Sequence, residues 1–261
     1  MATTTARVIA EGRNFCEGPR WHEGRFWFSD LYAHEVCSIG LQGDVRVEAD
    51  LGAEQPSGLG WLPDGELLVV GMTKRQVLRR HPDGALAVHA DLASIATFHS
   101  NDMLVTPEGG AYVGDFGFDL DGYIEAHGIE GLFGALGTDP SPFLSRVTYV
   151  APDGAASIAA DALLFPNGMA LLDGGRTLVV AQTLAMELTA FDGLRWVAVE
   201  PAYLGCAAGV DGRSRRDLRR RAWWYLGGEP PCSRGVPRRA RWHHHRYRHD
   251  IEHGVRLRTR W

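Results

Sequence analysis

A short pattern occurs four times along the chain and limits the folds that it can adopt. Each copy has a turn with an acidic or Gly-Gly corner, followed by a run of aromatic and β-branched residues. Intervals of 41, 44 and 66 positions separate the corner glycines Gly24, Gly65, Gly109 and Gly175. The first two intervals match the length of one four-stranded propeller blade. Because helical periodicity is scarce before residue 206, the repeat predicts an all-β radial array rather than an α/β fold.

The third interval is longer than the others because it contains an additional segment. This segment, from Gly117 to Pro142, is rich in glycine and proline. Such a composition predicts an inserted loop of about twenty residues on one face of a blade. Loops of this kind often border a binding site.

Polar residues recur just before each corner, where the innermost strand of a propeller blade would begin near the central channel. The candidate positions are Glu17, Ser57, Asn101 with Asp102, and Asn167. Oxygen ligands from Asp, Glu and Asn suit hard divalent cations. Ser-Gly, Asn-Asp and Asn-Gly are also ordinary turn pairs, so turn formation alone explains any single position. Recurrence at equivalent positions in the repeat favours one shared site.

From residue 13 to about residue 205, the sequence resembles the senescence marker protein, regucalcin and gluconolactonase family. The most specific motifs are Glu17-Gly-Pro-Arg-Trp21, Ser100-Asn-Asp-Met103 and Phe165-Pro-Asn-Gly-Met-Ala170. The resemblance implies a six-bladed β-propeller with one divalent metal on its axis. It also implies hydrolysis of a sugar lactone or a similar small cyclic ester. Calcium is the cation expected first, with zinc, magnesium and manganese as alternatives.

The resemblance assigns a role to each candidate residue. Glu17 and Asn167 would be metal ligands, and Asn101 would hold the substrate or a metal-bound water. His99 stands where the family can have a substrate-contacting arginine. Asp119 falls where the family can place another substrate-contacting acid. The predicted substrate-binding residues are therefore Asn101, His99 and Asp119.

The implied chemistry requires one further carboxylate. A divalent metal would polarise the lactone carbonyl, stabilise the oxyanion and lower the pKa of a bound water. A carboxylate near the metal would act as general base and third protein ligand. The family takes this residue from a Pro-Asp-Gly motif in the following blade, and no such motif stands at the expected place. Asp211, in Val-Asp-Gly four residues earlier, is the candidate catalytic replacement.

The composition of the chain changes sharply near residue 206. Residues 1–210 contain 12 basic and 27 acidic residues, whereas residues 211–261 contain 15 arginines, no lysine and 5 acidic residues. This change suggests GC-rich DNA translated in the wrong frame, with a frameshift between about Phe191 and Ser214. Arg215 would then occupy the position of the expected catalytic Asp. The hypothesis predicts a propeller domain over 1–205, with blades one to four and part of five. It also predicts an aberrant, not natively folded tail over 206–261 and an inactive chain.

Two other interpretations of the tail remain open. His245, His249 and His253 have the spacing of one helix face and could bind a metal. The arginines together with Trp223 and Trp224 would suit a single-stranded nucleic acid. The frameshift explains the same composition without a new function, so we expect no nucleic-acid partner.

The distribution of apolar residues also predicts where in the cell the protein is located. No segment approaches the run of about 18 apolar residues that a spanning helix needs, and the first residues lack a signal peptide. We therefore expect a cytoplasmic protein with a small-molecule lactone as its partner and no membrane association. The alternatives to a lactonase are a non-catalytic propeller that binds calcium or another ligand, and a phosphotriesterase-like hydrolase.

Overall fold

The computed structural model describes residues 7–192 and 255–259, which fold mainly into antiparallel sheets. Three sheets have four strands each and a fourth has three. The first sheet contains β2 (Cys16–His22), β3 (Arg25–Asp30), β4 (Glu35–Ile39) and β5 (Val45–Asp50). The second contains β6 (Pro56–Trp61), β7 (Leu67–Gly71), β8 (Gln76–Arg80) and β9 (Leu86–Asp91). The third contains β10 (Ser100–Val105), β11 (Ala111–Asp115), β12 (Ser145–Val150) and β13 (Ala156–Leu163). The fourth contains β14 (Pro166–Leu172), β15 (Thr177–Gln182) and β16 (Glu187–Asp192).

The four sheets are successive blades of a β-propeller. Within each sheet the strands pair in chain order, as the meander of a propeller blade requires. The first strands of the blades contact one another in turn, β2 with β6, β6 with β10 and β10 with β14. Apolar side chains fill the space between blades; for example, Val70 and Val77 of blade 2 share a cluster with Met103 of blade 3. The predicted all-β propeller fold is therefore confirmed, with four blades in the described residues.

The predicted corners are the hairpins between the first and second strands of the blades. Gly24, Gly65 and Gly109 have φ angles of 75°, 87° and 87°, which side chains with a Cβ rarely adopt. Glycine at the corner thus permits a tight turn, and the apolar run after it becomes the well-buried second strand. The pattern that repeats in the sequence therefore corresponds to the turn between the first two strands of each blade.

A polar side chain at the end of the second strand fixes the start of the first strand in three blades. The register pairs Cys16 with Asp30, Ser100 with Asp115 and Pro166 with Gln182. The carboxylate of Asp30 accepts hydrogen bonds from the backbone N–H groups of Asn14 and Phe15. The amide oxygen of Gln182 accepts one from the backbone N–H of Leu164 at 2.8 Å. These bonds position the residues that follow, which include the candidate site.

Asp115 performs this role in blade 3, and its loss is expected to destabilise the fold. Its side chain is 1% exposed and accepts hydrogen bonds from the Thr97 hydroxyl at 2.9 Å and the Gly117 N–H at 2.7 Å. The Asp115→Ala variant leaves these donors unpaired and is expected to lose about 2–4 kcal/mol of unfolding free energy. Chemical denaturation measures the loss. Asp153→Ala, which removes an acceptor from an exposed hairpin, is the control; equal losses in the two variants would contradict the assignment.

The inserted segment between β11 and β12 contains a helix, so the expectation of a loop is wrong. Helix α1 (Leu120–Thr138) has a kink at Gly128, where φ is 69° and ψ is 167°. Five glycines lie in α1, and each lowers the intrinsic helix propensity. Packing compensates for them: Leu120 and Leu132 are buried in a cluster with Phe165. Tertiary contacts therefore outweigh the propensity on which the prediction relied.

Most of the predicted tail lies outside the described residues. Residues 255–259 form β17 (Val255–Thr259), which pairs in parallel with β1 (Arg7–Arg13). Asp211 and Arg215, the predicted boundary at residues 205 and 206, and the three tail histidines are not among the described residues. Their assignments stay predictions. Within the described ranges, no helix is long and apolar enough to cross a membrane.

Candidate metal and substrate site

The four recurring positions occupy the same place in their blades. Glu17, Ser57, Asn101 and Asn167 are each the second residue of the first strand, in β2, β6, β10 and β14 respectively. Equivalent positions in a radial array lie at the same end of the channel. The repeat-based prediction therefore places these residues at one site.

A chain of hydrogen bonds joins the site residues of blades 2, 3 and 4. The hydroxyl of Ser57 donates to Oδ1 of Asn101 at 3.0 Å. Nδ2 of Asn101 donates to Oδ1 of Asn167 at 3.3 Å, and Nδ2 of Asn167 donates to the hydroxyl of Thr183 at 3.2 Å. Ser57 and Asn101 are only 2% and 6% exposed. The orientation of both amides is thus fixed by partners on their own and neighbouring blades.

Glu17 adds a poorly solvated carboxylate from blade 1. Burial, together with the negative charge of Asp102, raises its pKa to about 6, and a hydrogen bond from the Gly18 N–H partly opposes this rise. A carboxylate in this environment pays a desolvation cost that a bound cation would offset. A carboxylate in this environment is chemically suited to bind a cation, and the role of Glu17 as a metal ligand stays a prediction.

Arg20 is a site residue to which the sequence assigned no role. Its guanidinium Nη2 lies 3.0 Å from Oδ1 of Asp102 and donates to the carbonyl of Met103 at 2.6 Å. Arg20 therefore connects blade 1 to blade 3 and neutralises the carboxylate next to Asn101. In the sequence, Arg20 is marked only by its position in the Glu-Gly-Pro-Arg-Trp motif. That motif does not indicate that Asp102, 82 positions later, is its partner.

His99 and Asp119 lie close enough for the charge of Asp119 to influence the pKa of His99. Burial lowers the pKa of His99, and the Asp119 carboxylate partly opposes that effect. The imidazole stacks on Phe98 with a centroid distance of 4.1 Å. Asp119 is exposed and caps α1, because its Oδ1 accepts a hydrogen bond from the Gly122 N–H at 3.0 Å. The capping role explains an acid at this position, and the predicted substrate contact of Asp119 stays a prediction.

The donor set fits a hard divalent cation in chemistry. Glu17 offers carboxylate oxygens and Asn167 offers an amide oxygen, both ligands that calcium accepts. Asn101, the predicted substrate-binding residue, bonds to Asn167 through its own amide. Within residues 7–192, no group of three or more His, Cys, Asp or Glu side chains could hold a metal. The described residues thus provide one carboxylate and two amides at the channel end, while the candidate Asp211 lies outside them.

Glu17 is expected to make the stability of the metal-free protein depend on pH. Its folded pKa of about 6 lies above the ordinary value of 4.5. The stabilisation from this raised pKa is therefore fully present below pH 4.5 and is lost as pH rises through 6, by about 2 kcal/mol. Chemical unfolding with a chelator present measures the change. Glu17→Gln is expected to remove it, and an unchanged pH profile in that variant would assign the dependence to another group.

The fold is shared with several solved propellers. A gluconolactonase from Xanthomonas campestris has 23% identity and a TM-score of 0.53, over 71% of this chain and 60% of that one. A calcium-binding protein, regucalcin, from Agrobacterium tumefaciens has 21% identity and a TM-score of 0.54, over 72% and 57%. A luciferin-regenerating enzyme has 14% identity and a TM-score of 0.54, over 69% and 56%. The chain thus spans about 60% of the length of the solved gluconolactonase and somewhat less of the other two.

Identities this low show a common fold and leave the chemistry to the site residues. No curated protein sequence matches the chain. The family model of the SMP-30/gluconolactonase/LRE-like region matches residues 15–195, a range that includes Glu17, Asn101 and Asn167. The matched range contains all four described blades, from the start of β2 at Cys16 to the end of β16 at Asp192. The chain therefore belongs to the SMP-30/gluconolactonase/LRE-like family.

Proposed function

We propose that this chain carries the site of a divalent-metal-dependent lactonase that acts on a small cyclic ester. Glu17 and Asn167 are the proposed protein ligands of the cation, and calcium is the proposed ion. Asn101 is the proposed substrate-binding residue, with His99 and Asp119 near the same end of the channel. Membership of the family and the likeness to a solved gluconolactonase support this assignment.

One observation carries the proposal. The amide of Asn101 donates to Oδ1 of Asn167 at 3.3 Å, and the desolvated carboxylate of Glu17 stands at the equivalent position of blade 1. Hydrogen bonds between polar side chains on separate blades hold these groups in one orientation at this end of the channel. Such an arrangement is expected of a binding site rather than of a turn.

The chain's own residues orient and bind the ester. Because the Ser57 hydroxyl donates to Oδ1 of Asn101, the amide presents its N–H donors away from Ser57 and towards Asn167. An N–H donor in that position can bind an oxygen of the lactone. A bound divalent cation would supply positive charge that stabilises the developing oxyanion. The proton-accepting carboxylate remains assigned to Asp211 as a prediction.

Lactone hydrolysis by the full chain tests the proposal. The lactonase proposal predicts turnover with calcium, zinc, magnesium or manganese, and loss of turnover with a chelator or in the Asn101→Ala variant. The frameshift hypothesis predicts no turnover of any lactone by this chain. Asn14→Ala changes an exposed asparagine before β2 and is the matched control. A rate that is identical with and without chelator, or in Asn101→Ala and the unmodified protein, would contradict metal-dependent catalysis at this site.

A second candidate, cation binding without catalysis, is favoured by one contact. The negative charge of Asp102 acts on Glu17, but the Asp102 carboxylate already pairs with Arg20 at 3.0 Å. A carboxylate whose oxygen is already engaged by a guanidinium is a poor general base, because that oxygen is less free to accept a proton from water. Calorimetric binding of calcium without lactone turnover would support this candidate over the lactonase. Absence of turnover is also the result that the frameshift hypothesis predicts.

A further inference from the structure

The residue two positions before each site residue forms a second repeated set around the channel. We name this set the mouth ring; its members are Phe15, Gln55, His99 and Phe165. Each of their backbone carbonyls accepts a hydrogen bond from the residue just after the second strand of the same blade. The donors are the N–H groups of Leu31, Met72, Phe116 and Thr183, at 2.8, 2.8, 2.9 and 2.9 Å. This common bond shows that the four residues are structurally equivalent.

The mouth ring borders the candidate site. Its members directly precede the strands whose second residues are Glu17, Ser57, Asn101 and Asn167. Phe15, Gln55 and His99 are half-buried and keep part of their surface accessible, whereas Phe165 is 6% exposed. A ligand that reaches the polar residues from this end of the channel therefore passes the mouth ring.

The mouth ring is aromatic in three of its four members, and other aromatic side chains support it. The Phe15 ring meets Tyr32 edge-on at 5.8 Å, and the His99 ring stacks on Phe98 at 4.1 Å. The Phe165 ring lies 4.4 Å from that of Phe116. No member is a lysine, an arginine or a carboxylate, and Gln55 alone offers an amide. Supported aromatic rings of this kind favour apolar and aromatic ligand surface.

Helix α1 packs against Phe165, a member of the mouth ring. The register opposes Ser100, at the start of β10, to Asp115, at the end of β11, so the segment containing α1 leaves the blade beside the mouth ring. Leu120 and Leu132 of α1 pack in one cluster with Phe165. The inserted helix therefore encloses the Phe165 part of the mouth ring with apolar side chains.

We propose that the mouth ring selects ligands with an aromatic or apolar ring next to the ester, in preference to polyhydroxylated lactones. This inference rests on the proposed function, because it names the substrate class of the same site. Hydroxyl groups brought against phenylalanine lose hydrogen bonds to water and gain few in return. An aryl ring there removes apolar surface from water and contacts aromatic faces.

Binding of two unreactive lactams to the full chain with calcium tests the selection separately from catalysis. The probes are dihydroquinolinone, the lactam counterpart of an aryl lactone, and the lactam counterpart of gluconolactone. Isothermal titration is expected to show the aryl lactam binding at least about tenfold more tightly. Equal affinities, tighter binding of the polyhydroxylated lactam, or no binding of the aryl lactam would overturn the inference. Aryl-lactam binding without turnover of any lactone would sustain the inference and contradict the proposed lactonase.

Variants of His99 test whether the mouth ring causes the preference. His99→Leu replaces the imidazole with an apolar side chain and is expected to retain aryl-lactam affinity within about twofold, whereas His99→Glu is expected to lose about tenfold. His89→Leu and His89→Glu make the same changes on the outermost strand of blade 2 and serve as controls. Thermal unfolding shows whether each variant folds. An unchanged affinity in a folded His99→Glu variant, or an equal loss in His89→Glu, would overturn the role of the ring.

Discussion

Replacing Glu17 with glutamine is expected to weaken binding of a divalent cation on the order of 100-fold. The substitution keeps the size of the side chain and removes the single carboxylate that the described residues place among the site oxygens without an ion-pair partner. Cation affinity depends strongly on ligand charge, and the poorly solvated position of Glu17 reduces screening of that charge. Isothermal titration with calcium at neutral pH measures the effect.

Glu23→Gln is the matched control for this experiment. Glu23 lies in the same blade, but it is exposed in the corner turn at the opposite end of β2. The control is expected to bind calcium as tightly as the unmodified chain. Equal affinity in the Glu17→Gln variant would remove Glu17 from the ligand set, and equal weakening in both variants would indicate general charge attraction instead of a defined site.

The blades and the positions of the site residues were accessible from the sequence because the repeat itself encodes them. A corner glycine with positive φ fixes each hairpin, and strand pairing then fixes which residue begins the first strand. Glu17 and Asn167 could therefore be placed at similar positions from the sequence, because they lie seven and eight residues before Gly24 and Gly175. Because the blades repeat around one axis, residues at equivalent positions of different blades lie close together near that axis.

Contacts between different blades were not accessible in the same way. The pair of Arg20 and Asp102 joins residues 82 positions apart, and neither has a local pattern that identifies the other. The helix of the inserted segment was missed because its five glycines indicate a loop, whereas burial of Leu132 favours the helix. Long-range packing thus determines the features that local propensity predicted wrongly or not at all.

The equivalence of the mouth-ring residues was only partly accessible from the sequence. Phe15, His99 and Phe165 precede the site residues by a constant two positions, so their equivalence is present in the sequence. Their residue types differ, however, and no shared chemistry marks them as a set. The common backbone hydrogen bond at each position reveals the equivalence, because it depends on strand register and not on side-chain type.

Gly58→Ala is expected to lower the free energy of unfolding by about 3 kcal/mol. A Cβ at Gly58, on the first strand of blade 2, would lie 2.7 Å from the Cβ of Met103 and 2.8 Å from the backbone carbonyl carbon of Asp102, both on blade 3. Because part of this obstruction is backbone, the blades must separate to admit a methyl group. Thermal unfolding is expected to show a midpoint roughly 10 °C lower. Gly134→Ala, in α1 where a Cβ meets nothing within 4 Å, is the control.

Gly168→Ala makes the same change at the equivalent position of blade 4 and tests the hypothesis about the tail. Gly168 follows Asn167 as Gly58 follows Ser57, but a Cβ there meets nothing within 4 Å in the described part of the chain. In a propeller with an intact fifth blade, the next inner strand would pack at this position as blade 3 packs on Gly58. The frameshift hypothesis predicts that Gly168→Ala costs less than about 1 kcal/mol, since no such strand follows. If Gly168→Ala lowers the free energy of unfolding as much as Gly58→Ala does, blade 4 has a packed neighbour and the frameshift hypothesis is contradicted. If Gly58→Ala leaves the free energy of unfolding unchanged, the close approach of blades 2 and 3 is contradicted.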